Sequence, residues 1–197
     1  MSNNNGRHGL SVYRLAKLIE RVGSRVYFLG SLWEKTHERL VTAEIKGASL
    51  TEKDRILNMG CGSIPYTATI VARKVGAKIT AIDNDSMVVR NASNYLLNRG
   101  FGDLVKIEEG DALDYPVSDF DVIIVSLGVM PRDLVLGQLH LQSNNGTKII
   151  CRSPAGILAK IWDEKLSDNF EGKTVFSGSF PWQRSVVLCH EPSSDSR

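Results

Sequence analysis

From Leu10 onward, apolar side chains recur at helical spacing. Leu15, Leu18, Ile19, Val22 and Val26 predict one helix, and Leu29, Leu32, Trp33, Leu40, Val41 and Ile45 predict a second that ends at Gly47. Beyond Thr51 the pattern changes to short β-rich runs, which predict strands at Arg55–Met59, Lys78–Ile82, Leu104–Glu108, Asp121–Ser126, Thr147–Arg152, Lys173–Ser177 and Arg184–His190. Helices are expected between them over Tyr66–Val75, Ser86–Arg99, Pro131–Leu141 and Ala155–Lys165, with Gly76, Gly100 and Gly146 as stops or turns. Such alternation predicts an α/β fold, a doubly wound Rossmann-like parallel sheet covered by helices. The last two strands follow each other with no helix between them. They are therefore expected to pair antiparallel at one edge across Gly178–Trp182, with Pro181 limiting the pairing. The expected division is an N-terminal helical appendage over residues 1–50 with a disordered start, the sheet domain over 51–191, and a flexible tail over 192–197.

At 197 residues the chain has room for one domain and a short appendage. Its 42% hydrophobic and 23% charged residues are ordinary globular composition. Lys+Arg 24 against Asp+Glu 22 leaves +2, so no overall charge draws the protein onto nucleic acid or an anionic surface. Arg7, Arg14, Lys17, Arg21 and Arg25 recur near helical spacing, a pattern read as a solvated charged face, and nucleic acid is not expected as a partner. The longest strongly apolar run, Val122 to Met130, falls well short of the ~20 residues that cross a bilayer. Met1 to Gly9 is polar, which predicts a cytoplasmic protein with no membrane association. Cys61, Cys151 and Cys189 are odd in number and widely spaced, and His37, His140 and His190 show no metal spacing, so neither a disulfide framework nor a metal site is expected.

The sharpest local signal is Ile56-Leu57-Asn58-Met59-Gly60-Cys61-Gly62-Ser63, an apolar strand that runs into a Gly-x-Gly turn and then a helix opened by Ser63 and Pro65. Glycines let the backbone approach a ligand closely, and a helix N-terminus offers free N–H groups. The next strand ends at Asp83, 23 residues beyond Gly60, close to the ~20-residue spacing at which a carboxylate meets a ribose. Together the two features indicate an adenosine-containing ligand. In the loop Glu109-Gly110-Asp111-Ala112, Asp111 can accept from an adenine amino group while the Ala112 N–H meets a ring nitrogen; a turn cap is an equal reading of Asp111. Cys61 inside the turn reads as a small packing residue.

In this order the residues resemble the class I S-adenosylmethionine-dependent methyltransferases, over about Thr51 to His190. The resemblance implies S-adenosylmethionine as cofactor, bound across the C-terminal edge of strands one, two and four by Asn58, Gly60, Cys61, Gly62, Asp83, Asn84, Asp111, Ala112, Ser126 and Leu127. Two positions depart from the pattern. Asn58 stands where that family usually has Asp or Glu, so it can hydrogen-bond the methionine moiety without supplying a full charge to the ammonium, and Ile64 stands where a third glycine is common.

Within that fold, Gly60-Cys61-Gly62-Ser63-Ile64-Pro65-Tyr66-Thr67 is similar to the turn of nicotianamine synthases and related bacterial metallophore synthases, which transfer the aminocarboxypropyl group of the same cofactor. Arg152-Ser153-Pro154-Ala155-Gly156 is similar to their Arg-Ser-x-x-Gly segment. This narrower resemblance implies Glu44, sixteen residues before Gly60, as a catalytic glutamate. Tyr66 and Arg152 are further catalytic candidates. Tyr66, with Tyr27 and Trp33, can cover the cofactor, orient an acceptor or simply pack; Arg152 at a strand's C-terminal end can bind a carboxylate or form a structural ion pair.

The segment Ser126-Leu127-Gly128-Val129 is not the Asn/Asp-Pro-Pro-Tyr element that holds a planar amide or adenine amine, which disfavours those acceptors. The expected reaction is methyl transfer to a small molecule or a protein side chain, since only about fifty residues precede the sheet where nicotianamine synthases carry a larger helical domain. Aminocarboxypropyl transfer to an amine and a catalytically silent binding subunit are the alternatives.

Overall fold

The computed structural model describes residues 27–97, 99–154, 172–179 and 183–189. Its centre is set by the most continuous apolar runs. β1 (Arg55–Met59) and β4 (Val122–Val125) are buried on both faces apart from Arg55, as strands covered by helices on each side require. Around them lie β2 (Lys78–Asp83), β3 (Val105–Glu109), β5 (Lys148–Pro154), β6 (Gly172–Ser179) and β7 (Gln183–Cys189). Among the described residues these form one sheet in the order β3-β2-β1-β4-β5-β7-β6. β1 to β5 run parallel, and β7 runs antiparallel to both β5 and β6. The register aligns Met59 with Ile82 on one side and Val125 on the other, so β1, β2 and β4 end at one level.

The helices are α1 (Tyr27–Gly47), α2 (Tyr66–Val75), α3 (Ser86–Leu96) and α4 (Arg132–Gln142). Alternation along the strands divides the interior into two layers. Ile56, Ile79, Ile124 and Ile150 pack with Val41 of α1, Val71 of α2 and Ala92 of α3. Leu57, Ile123, Val125 and Ile149 pack on the other face with Leu136 and Leu139 of α4.

Strand boundaries follow the predicted ones to within two residues, and β1 and α2 match them end for end. The reversed pair is present, with β7 lying inside between β5 and β6, and its pairing with β6 shifts register at Thr174/Phe176 and again at Ser177/Ser179. The helix expected over Ser86–Arg99 ends at Leu96, because Leu97 turns to an extended ψ of 130° and Arg99 reaches back to α1. The first predicted helix, the basic stripe before Tyr27, the helix over Ala155–Lys165 and Pro181 lie outside the described residues.

α1 is fastened to the sheet domain by a polar contact that its periodicity does not announce. Glu34 is buried against α2 and α3, where its Oε1 accepts from Thr69 Oγ1 at 2.9 Å, Tyr95 Oη at 3.1 Å and Arg99 at 2.6 Å. Arg99 also lies over the Tyr95 ring at 4.1 Å and donates to Ser31 Oγ at 2.9 Å. Glu34→Ala leaves this arginine buried without its carboxylate, and is expected to cost about 3 kcal/mol of stability in urea unfolding monitored by circular dichroism. Glu38→Ala removes only the half-exposed pairs to Lys74 and Arg73 and is expected to cost under ~1 kcal/mol.

Candidate functional site

At the C-terminal edge of the sheet, three loops converge on Asp83. Gly62 N–H donates to its Oδ2 at 3.1 Å, Asp85 N–H to its Oδ1 at 3.3 Å, and Gly110 N–H to its main-chain oxygen at 3.1 Å. The turns after β1, β2 and β3 are thus fixed relative to one another by one aspartate. Asp85 then caps α3, accepting from Met87 N–H at 2.9 Å. Asn84, between the two aspartates, is exposed.

The Gly-x-Gly turn has a steric cause. Gly60 has φ +71°, and a Cβ there would sit 2.7 Å from Val129 Cγ2. Gly60 N–H and Cys61 N–H both donate to the Ile82 carbonyl at 2.9 Å, which draws the turn down onto β2, and Cys61 is buried.

Beneath the turn Asn58 is fully buried and its Nδ2 donates to Ser126 Oγ at 3.0 Å and to the Ile124 carbonyl at 3.3 Å. This explains the departure at position 58, because a carboxylate would set an acceptor against that carbonyl. Asn58 Oδ1 is buried with no hydrogen-bond partner. Ser126 is buried, and Leu127 beside it is half-buried.

In the loop after β3, Asp111 does cap a turn, accepting from Leu113 N–H at 3.0 Å through Oδ1, while its carbonyl accepts from Tyr115 N–H at 2.9 Å. Among the described residues its Oδ2 and the Ala112 N–H enter no hydrogen bond. The bland and the functional readings of Asp111 are therefore compatible on one side chain.

The three catalytic candidates come together although 108 residues separate the outer two. Arg152 Nε donates to Glu44 Oε1 and its NH2 to Oε2, both at 2.7 Å. The remaining nitrogen donates to Thr67 Oγ1 at 2.9 Å and Tyr66 Oη at 3.1 Å, and Ser185 Oγ donates to Glu44 Oε1 at 2.6 Å. Both charged side chains are withdrawn from solvent, at 0% and 1% exposure. Burial opposes the Arg152 charge, but Glu44 and Tyr66 more than offset it and hold the guanidinium more firmly protonated than an ordinary arginine. Arg152 is thus in the ion pair that formed one of its two readings.

His37 stacks on Tyr66 with ring centroids 4.1 Å apart and tilts against Trp33 at 4.8 Å. Its Nδ1 faces the Trp33 carbonyl at 2.9 Å, an atom that only accepts, so the neutral ring carries its proton on Nδ1. Burial, with a smaller contribution from Arg152, pushes its pKa down to about 4 against the opposing pull of the Trp33 carbonyl and Glu44. The Trp33 indole N–H is buried with no partner. Sequence reasoning passed over His37 as lacking metal spacing and did not single out Arg132. The latter, buried at the start of α4, donates to the Leu127 carbonyl at 2.7 Å and to the Arg152 carbonyl, tying the ends of β4 and β5. Nothing in the local sequence marks it, since its acceptors are main-chain atoms. Among the described residues no cluster of His, Cys, Asp and Glu could hold a metal ion, and no helix is long and apolar enough to cross a membrane.

The sheet order, with its reversed β7 and an Asp83-centred cleft at the ends of β1 and β2, defines a class I methyltransferase fold. Residues 57–131 match the family model described as a methyltransferase domain. It is 30% identical over 102 residues to a ribosomal protein L11 methyltransferase of Exiguobacterium sp., covering 51% of this chain and 32% of that protein. It is 23% identical over 141 residues to an L-histidine 2-aminobutanoyltransferase of Pseudomonas aeruginosa, covering 71% and 52%. The chain thus spans between a third and about half the length of these curated relatives. Among solved structures it is similar to a Glu-to-Gln variant of the nicotianamine synthase MtNAS in complex with S-adenosylmethionine, at a TM-score of 0.80 and 18% identity, covering 91% of this chain and 75% of that one.

The His37 environment makes stability depend on pH. Because the folded pKa of about 4 lies below the unfolded 6.5, the unfolded chain binds the proton more readily between those values, and stability present above pH 6.5 is lost as pH falls toward 4. Between pH 7 and 4.5 the wild type is expected to lose about 2–3 kcal/mol more than His37→Phe, which keeps the stack and cannot titrate, in paired urea titrations.

Proposed function

We propose that this chain binds S-adenosylmethionine at the C-terminal edge of β1, β2 and β4 and transfers its methyl group to a small molecule or a protein side chain. The observation that carries the reading is the convergence of the three loops on Asp83. The residues present fit that cofactor. Gly60 and Gly62 bring main chain close to where the methionine portion would lie, and the orphaned Asn58 Oδ1 is an acceptor suited to its ammonium. Asp83 is placed for the ribose hydroxyls, with exposed Asn84 beside it. Asp111 Oδ2 and the Ala112 N–H present an acceptor next to a donor, the pattern that adenine N6 and N1 complement. Cys61, Ser126 and Leu127 complete the wall.

When bound, the cofactor supplies a methyl group already activated by its sulfonium charge. The protein's own work is then positional: hold the donor, align an acceptor lone pair in line with the methyl, and keep water away. No residue need take a proton from an acceptor that reacts as a neutral nucleophile. A cytoplasmic location and the absence of a nucleic-acid partner belong to this proposal, the second on the near-neutral charge.

A second reading, aminocarboxypropyl transfer to an amine, is favoured by the Glu44–Arg152–Tyr66 cluster and by the two synthase-type relatives. In it Glu44 would deprotonate the amine.

Calorimetry with S-adenosylhomocysteine tests the cofactor assignment. Asp83→Ala is expected to weaken binding by ~1–3 kcal/mol, and unchanged affinity would remove the assignment. The spent cofactor separates the two reactions, since methyl transfer leaves S-adenosylhomocysteine and aminocarboxypropyl transfer leaves methylthioadenosine. In a mass spectrum after incubation with cell extract as acceptor source, S-adenosylhomocysteine is expected. Methylthioadenosine above spontaneous breakdown, and lost in Glu44→Gln, would establish the second reading instead, while neither product would point to a silent binding subunit.

A further inference from the structure

Tyr115 lies just past the loop that carries Asp111 and Ala112, and no sequence signal drew attention to it. Its ring occupies the space over Gly110: a Cβ on that glycine would fall 2.6 Å from Tyr115 Cδ2 and 3.5 Å from Ile82 Cδ1. The main chain is tied at both ends of the same loop, by Gly110 N–H on the Asp83 carbonyl and Tyr115 N–H on the Asp111 carbonyl. The phenol is anchored in turn, since Tyr115 Oη donates to Glu108 Oε2 on β3, and Glu108 Oε1 is held by Lys106 Nζ at 2.5 Å. The ring therefore stands as a strut between β3 and the loop, with Phe120 tilted against it at 6.5 Å.

We propose that Tyr115 is a positioning residue for base recognition: by filling the space that Gly110 leaves open, it holds Asp111 and Ala112 at the spacing that selects adenine over a 6-oxopurine. The inference rests on the cofactor reading above. Adenine donates from its 6-amino group and accepts at N1, which complements the unpartnered Asp111 Oδ2 and Ala112 N–H. Hypoxanthine reverses both positions, with an oxygen facing the carboxylate and a protonated N1 facing the amide. Discrimination of this kind depends on both protein groups being held in register, because a loop free to shift relieves the mismatch. Burial and the Glu108 carboxylate push the Tyr115 phenol up to about 12, so it stays a donor throughout the working pH range.

The test is calorimetric titration of S-adenosylhomocysteine and S-inosylhomocysteine into the wild type, Tyr115→Phe, Tyr115→Ala, Gly110→Ala and Gly110→Ala/Tyr115→Ala, with thermal midpoints measured alongside. The wild type is expected to prefer the adenine form. Tyr115→Phe keeps the ring and loses the anchor, for an expected loss of about threefold to tenfold in affinity for S-adenosylhomocysteine. Tyr115→Ala is expected to lose at least about tenfold and to narrow the preference over the inosine form. Gly110→Ala is expected to be severe alone and to add little once the ring is gone, a non-additivity that reports their contact. Tyr115 variants that bind S-adenosylhomocysteine as tightly as the wild type, or that weaken both ligands equally with the preference intact, would overturn the proposal while leaving the cofactor reading standing. A wild type that binds neither ligand would overturn both.

Discussion

The buried pair between Glu44 and Arg152 is the interaction on which the arrangement of this molecule turns. Two charges removed from water are costly, and they persist here because both are densely hydrogen-bonded: Arg152 reaches both Glu44 oxygens, Thr67 and Tyr66, and Ser185 supplies a further donor to Glu44. The partners come from α1, the start of α2, β5 and β7, so four elements distant in sequence are fixed at one point. Removal of either charge alone would strand the other, at about 3–5 kcal/mol, whereas an apolar packing of similar volume need not be weaker. What the pair supplies beyond stability is direction. A guanidinium accepts no slack in its planar fork, so α1 has one angle at which Glu44 meets it.

That angle decides what else α1 presents. Glu34, His37, Val41 and Glu44 all fall on its buried side. Glu34 fastens one end to α2 and α3, Glu44 fastens the other to β5, and between them His37 is pressed onto Tyr66. Tyr66 also accepts from Arg152, so its ring is held from α1 and its oxygen from β5. The helix is in this sense one wall of the site, fastened by the buried polar side chains of Glu34, His37 and Glu44.

The same fact explains which parts of the molecule are legible in the sequence. β1 and α2 can be delimited by eye because β1 is a mostly apolar run closed by Gly60, α2 follows a proline and ends at a glycine, and local rules determine both. Gly60 and Asp83 are legible because their constraints are also local or fixed by one βαβ unit. Glu34 and His37 on α1 are not, since periodicity treats a charged or polar side chain as solvent-facing and only the distant Thr69, Arg99 or Tyr66 reveals otherwise. Glu44 is marked by a motif resemblance and Arg152 by the same resemblance together with its strand-end position, and nothing in either shows that they hold one another. Asn58 is the intermediate case: the departure from an acid is visible in the sequence, but its cause is the Ile124 carbonyl on a neighbouring strand.

The pairing also bears on the choice between reactions. A carboxylate that is to take a proton must give up part of its attraction to a partner cation, and Glu44 is held at both oxygens by a guanidinium that the same pair keeps protonated. Neither transfer makes that demand of a neutral nucleophile, because in both the leaving sulfur needs no proton and the product can shed its own to solvent afterwards. Transfer of either group to an ammonium does make it, and in this geometry it would require the acceptor to loosen the pair before reaction, through Tyr66 and Thr67, which share the third guanidinium nitrogen. The ion pair that orders α1 therefore favours, for either reaction, an acceptor that arrives neutral, and in the proposed reading the alignment of donor and acceptor is the chemistry left to the protein.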